Sequence, residues 1–90
     1  MRYEWGVRKA AANVQKHGVT FDSAREVFTD PFRTVRLDAR EEYGEERWST
    51  IGAVQGRYLV VAYTETEDTR RLISARKANR HERERYHRAR

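Results

Sequence analysis

The sequence predicts an α+β fold built on an antiparallel β-sheet, and three observations carry that reading. Apolar residues follow a helical period up to Asp30 and a period of two after Pro31. The alternating segments are joined by connections too short for helical crossovers, which places consecutive strands antiparallel. A charged segment with a helix-capping signature follows the last strand. Ninety residues predict one domain spanning 1–90, since a second core of that size would be too thin to hold itself together.

Each element has its own warrant. Arg2 to Trp5 is short and aromatic and reads as an opening strand. Residues 7 to 17 read as a helix with Val7, Ala11 and Val14 on one apolar stripe, stopped by Gly18. Thr20 is an N-cap for a second helix over about Phe21 to Phe28, with Ala24, Val27 and Phe28 on its apolar face. Asp30-Pro31 ends it, because a residue before proline avoids the helical region.

Phe32 to Asp38 then alternates, with Val35 and Leu37 on one side. Ala39 to Glu45 is charged, contains Gly44 and reads as a mobile loop. Arg47 to Val54 is a strand, Gln55-Gly56 a tight hairpin turn, and Tyr58 to Thr64 a strand apolar on both faces, which suits the centre of the sheet. Thr66 to Thr69 is a polar turn and Arg71 to Ala75 the last strand. Asn79 caps a final helix with Glu82 at the capping-box position, and Glu84 and Arg88 are spaced to pair along it. The expected architecture packs its helices mainly on one face, adds a C-terminal helix and leaves the other face open and charged.

Composition narrows the function. Net charge is +5, from 19 basic and 14 acidic residues, and sixteen of the cations are Arg. Guanidinium suits bidentate contact with phosphate or carboxylate, so the balance points to a polyanion or an acidic protein partner. No Cys is present, which excludes disulfides, thiolate metal sites and a Cys nucleophile. No apolar run approaches the roughly twenty residues of a membrane span, and no signal peptide is evident, so a cytoplasmic protein is expected.

The segments Trp5, Lys9, Asn13, Lys16-His17-Gly18-Val19, Phe21 and Asp30-Pro31 resemble the BrnT toxin family. So do Gly44-Glu45-Glu46-Arg47, Gly56-Arg57, Tyr63-Thr64-Glu65 and Ile73-Ser74-Ala75-Arg76-Lys77-Ala78. The resemblance runs from about Tyr3 to Tyr86, with one departure: Gly6 stands where the pattern leads one to expect an acidic helix cap. It implies a bacterial type II toxin of RelE-like fold, a ribonuclease that lowers translation. It further implies inhibition by a BrnA antitoxin bearing a ribbon-helix-helix DNA-binding module. Operator DNA would then be bound mainly through the antitoxin, and the arrangement allows a toxin–antitoxin heterotetramer.

Metal-independent RNA cleavage needs a base for the 2′-OH, cations for the charge that builds on phosphorus, and an acid for the 5′-oxygen. No Gly-rich phosphate loop or metal-ligand spacing is seen, so no cofactor or metal is expected. His17 is the leading acid–base candidate, since an imidazole samples both proton states near neutrality. Glu46 and Arg47 form a candidate carboxylate–guanidinium pair, and Arg76 is the candidate for transition-state charge. Lys16, Arg57, Arg71 and Lys77 are the candidate RNA-binding cations. Tyr63 could stack on a base but fits the core better. The rival class is a non-catalytic RNA-binding or co-repressor module acting only with its antitoxin. It shares the basic surface and differs in whether a proton-transfer group and a cation converge on one phosphate.

Overall fold

The computed structural model describes residues 1–42 and 44–89. Five strands, β1 (Arg2–Glu4), β2 (Thr34–Glu42), β3 (Glu45–Val54), β4 (Arg57–Glu65) and β5 (Thr69–Lys77), form one sheet in the order β1-β5-β4-β3-β2. Strands β2 to β5 pair antiparallel, and β1 pairs parallel to β5, with Arg2 opposite Thr69. The most apolar strand, β4, is the central one, as expected. Gln55 and Gly56 both take positive φ (48° and 80°), the condition for a two-residue hairpin whose twist matches the strands.

Alternation divides β4 between two cores. Leu59, Val61 and Tyr63 face α1 (Val7–His17), α2 (Phe21–Ala24) and the 3₁₀ turn Arg25–Thr29 that continues α2. Val60 and Tyr58 face the other way, onto Tyr86 of α3 (Arg80–Arg88). The C-terminal helix therefore packs on the face expected to be open, leaving only part of that face exposed. Its start follows the sequence: Asn79 accepts from the Glu82 N–H, and Glu82 accepts from the Asn79 N–H. Tyr86 donates to Asp30, whose carboxylate also accepts from the Ala53 N–H, so one acidic residue ties α3 to the sheet. Glu84 pairs with Arg80 one turn earlier (3.2 Å), where the spacing had suggested Arg88.

Two further expectations change. The Val7–Ala11–Val14 stripe faces solvent, with Val7 84% and Val14 45% exposed. The buried side of α1 carries Asn13, whose amide donates to the carbonyls of Val19 and Ala75 and accepts from the Ala75 N–H, all within 2.9 Å. Those three bonds make a polar residue tolerable inside, which apolar periodicity cannot register. The Ala39–Glu45 segment is no loop: β2 runs to Glu42 and β3 starts at Glu45, with an irregularity between Asp38 and Glu41, while Tyr43 lies outside the described residues. Charged residues suit this segment because β2 is an edge strand.

Gly52 is where β3 passes the 3₁₀ turn. A Cβ there would stand 2.7 Å from Val27 Cγ1 and 3.2 Å from the Val27 carbonyl oxygen. Gly52→Ala is therefore expected to cost about 1–3 kcal/mol through overpacking. Thermal unfolding followed by circular dichroism should show a midpoint lowered by several degrees. An unchanged midpoint would mean that Val27 yields freely.

Candidate nucleic-acid interface

The pleat builds a cationic trough on the α3 face. Arg36 in β2 stands opposite Ser49 in β3, Ser49 opposite Ala62 in β4, and Ala62 opposite Ser74 in β5. These small residues leave an open floor. Beside this row, Thr34 faces Ile51, Ile51 faces Val60, and Val60 faces Arg76. On its other side Asp38 faces Arg47. The trough has two lobes that share Asp38, Ser49, Val60 and Arg76. One, of about 120 Å³, is polar and lined by Arg40, Arg47, Arg76, Ser49 and Ser74. The other, of about 230 Å³, lies between Arg36 and Arg85 over Ile51 and Val60.

Ion pairs set the charge of the trough. Asp38 accepts from the Arg40 backbone N–H, and that bond, helped by the Arg40 and Arg47 guanidinium groups, holds its pKa below the ordinary value. Glu82 holds both ends of the Arg76 fork, at 2.8 and 2.7 Å. The pair lowers the Glu82 pKa, aided by the Asn79 N–H, and raises that of Arg76. Both carboxylates are thus ionised at neutral pH and too weakly basic to be efficient proton acceptors. Among the described residues, the buried side-chain nitrogens without a hydrogen bond are the Nε atoms of Arg47, which nonetheless lies 3.3 Å from the Asp38 carboxylate, and of Arg85, and both side chains line the trough.

A protein-family model described as "Ribonuclease toxin, BrnT, of type II toxin-antitoxin system" matches residues 5–82. The chain belongs to the BrnT family. Its substrate class is therefore RNA, and an antitoxin protein is its partner. The match contains Arg47, Arg76 and Glu82 and stops short of Arg85. A search of curated proteins finds no match.

Within this BrnT chain the expected site residues do not all meet. Arg47 and Arg76 line the polar lobe together. Glu46 does not join Arg47, because adjacent strand residues point to opposite faces; Arg47 pairs instead with Asp38 (3.3 Å) and Glu42 (3.5 Å). His17 and Lys16 line a separate hollow between α1 and β5, together with Lys9, and Ser74 borders both this hollow and the trough. Arg71 shares the trough's face but lies near β1, within 3.3 Å of Glu4. Arg57 and Lys77 flank a third hollow by the Gln55–Gly56 turn, where Arg57 donates to the Ser23 hydroxyl of α2. Tyr63 is buried edge-on against Phe28, and burial raises its pKa, so it belongs to the core.

Sequence reading missed Arg36, Arg40 and Arg85. A signal for Arg36 was present: the alternation that sets Val35 and Leu37 on one side sets Thr34, Arg36 and Asp38 on the other. For Arg85, the three-residue step from Glu82 along α3 was the available cue.

Proposed function

We propose that the chain is a metal-independent endoribonuclease of RelE-like fold, acting as a single toxin domain in the cytoplasm, where cutting RNA inhibits translation. The observation that supports this most is the polar lobe. Arg40, Arg47 and Arg76 line it together with Ser49 and Ser74, with Asp38 the one carboxylate lining it among the described residues. Such a lobe suits a phosphodiester. On this reading the RNA 2′-OH attacks phosphorus, its proton passes to a base, and negative charge builds on the non-bridging oxygens. Arg76 and Arg47 stabilise that charge as preorganised donors. Proton transfer falls to His17, the candidate whose hollow borders the lobe at Ser74; Glu46 lines neither the lobe nor that hollow. Lys16, Arg57, Arg71 and Lys77 hold the flanking RNA backbone.

Among the described residues no three His, Asp or Glu side chains are grouped to hold a divalent ion. Purified toxin free of antitoxin is accordingly expected to cleave single-stranded RNA in EDTA. Loss of cleavage on chelation, restored by a divalent ion, would overturn the metal-free mechanism. One observation favours the rival binding-only module: no imidazole lines the arginine trough. RNA binding without any cleavage, with or without metal, would select that rival.

The antitoxin, in this proposal a ribbon-helix-helix protein of the BrnA type, inhibits by laying acidic side chains over the trough. It carries operator binding for a toxin–antitoxin heterotetramer. Charge complementarity of this kind makes association fast and salt-sensitive. Association rates are expected to fall at least tenfold from low to physiological salt, and cross-linking should map the antitoxin onto Arg36, Arg40 and Arg76. A map that leaves the trough uncovered would refute direct occlusion.

A further inference from the structure

The two lobes of the trough differ in chemistry, and the difference points to different parts of a nucleotide. The polar lobe is lined by three guanidinium groups and one carboxylate; with Glu82 on Arg76 and Glu42 and Asp38 on Arg47, what it offers a phosphate is the N–H groups those pairs leave over. The larger lobe has Arg36, Arg76 and Arg85 against Asp38 and Glu82, and Glu82 already occupies the fork of Arg76. A phosphate placed there would meet two carboxylates. The floor combines the apolar Ile51 and Val60 with Ser49 and Thr34. Its volume of about 230 Å³ is several times the roughly 30 Å³ share of one water molecule. A partly apolar floor, guanidinium walls and fixed carboxylate acceptors are what a flat, neutral ring with N–H donors requires, since unstacked bases lie on apolar or guanidinium surfaces and are read at their edges.

We propose that the lobe between Arg36 and Arg85 is a nucleobase subsite, which receives the base next to the phosphate held by Arg47 and Arg76 and sets cut-site preference. The inference rests on the ribonuclease reading and extends it to specificity. The shared boundary fits this division. Arg76 lines both lobes, so a phosphate in one and a base in the other would be neighbours. Arg85 lines the lobe with its guanidinium group, while its Nε is buried without a hydrogen-bond partner. Its position in α3 makes the C-terminal helix a wall of a reading site as well as a cover for the sheet.

The test separates base from backbone and does not depend on cleavage. Protein labelled at Ile and Val methyl groups is titrated with 2′-O-methyl dinucleotides, which cannot be cut, and with an abasic counterpart of equal charge. Base-bearing dinucleotides should shift the Ile51 and Val60 resonances, the abasic one should not, and affinities should spread roughly 5- to 100-fold among bases. In parallel, cut sites in a randomised RNA are sequenced for the wild type, Arg85→Met and Arg36→Met. Both variants should flatten the preference at one position beside the cut. Silent Ile51 and Val60 methyls, equal shifts from the abasic ligand, or a uniform slowing at all sites with preference intact would overturn the subsite. The last result would make Arg36 and Arg85 backbone contacts. A wild type that binds bases at Ile51 without cutting RNA would refute the ribonuclease reading and leave the subsite standing.

Discussion

Arg76→Ala is expected to lower RNA cleavage by on the order of 10- to 1,000-fold, the range covered by loss of one preorganised donor at a developing oxyanion. The fold should survive with a modest loss of stability. Arg76 has a bidentate partner in Glu82, so its removal leaves a capping carboxylate without its main counter-charge. The pair is worth about 1 kcal/mol, discounted because the Arg76 side chain is 42% exposed to screening solvent. The two losses can be told apart by pH. Arg76 and Asn79 depress the Glu82 pKa in the folded state. A depressed carboxyl stabilises the fold above its unfolded pKa, and the contribution is lost as pH falls through the folded value. Wild-type urea midpoints should therefore drop below about pH 4.5, while Arg76→Ala should show a flatter acid limb. Unchanged cleavage would make Arg76 a spectator, and an unchanged acid limb would mean that Glu82 owes its shift to Asn79.

Asn13→Leu is expected to produce the largest loss of stability of any single substitution considered. Asn13 is 5% exposed, and its replacement leaves the Val19 carbonyl and both backbone groups of Ala75 unpaired in the interior. At about 1–3 kcal/mol for each orphaned group, the total is about 3 kcal/mol or more, a large share of the stability of a small domain. Val14→Ser, one residue along on the same helix, should change the urea midpoint by no more than about 0.5 kcal/mol. Equal effects at the two positions would refute this account. Because Ala75 adjoins Arg76, partial opening at Asn13 should also blunt cleavage at temperatures where the far-ultraviolet spectrum is still native.

That contrast marks how far the sequence could be read. Local chemistry was legible: the Asn79–Glu82 capping box, the Thr20 cap, the turn at Gln55-Gly56 and the central place of β4 all follow from short-range rules. What failed were inferences that depend on partners far along the chain. The inward face of α1 was assigned to Val7, Ala11 and Val14, because nothing local announces that β5 will offer Asn13 two backbone partners on Ala75, 62 residues away. Glu46 and Arg47 looked like a pair in sequence and are parted by the pleat. Of the candidate site, Arg47 and Arg76 were named in advance. Their meeting could not be, since it depends on β4 lying between their strands, and Arg36 and Arg85 join them only through the register of β2 and the docking of α3.

The parallel pairing of β1 with β5 also sets a timetable for synthesis. Glu4 and Arg71 are 67 residues apart in the chain, and at about 5–20 residues per second a ribosome needs roughly 3–13 s to travel between them. Throughout that interval β1 has no strand to join, and Arg76 has not yet been made. The nascent toxin therefore passes through that interval with an unclosed sheet and without the proposed charge-stabilising arginine. The trough cannot form until β5 and α3 have both left the ribosome.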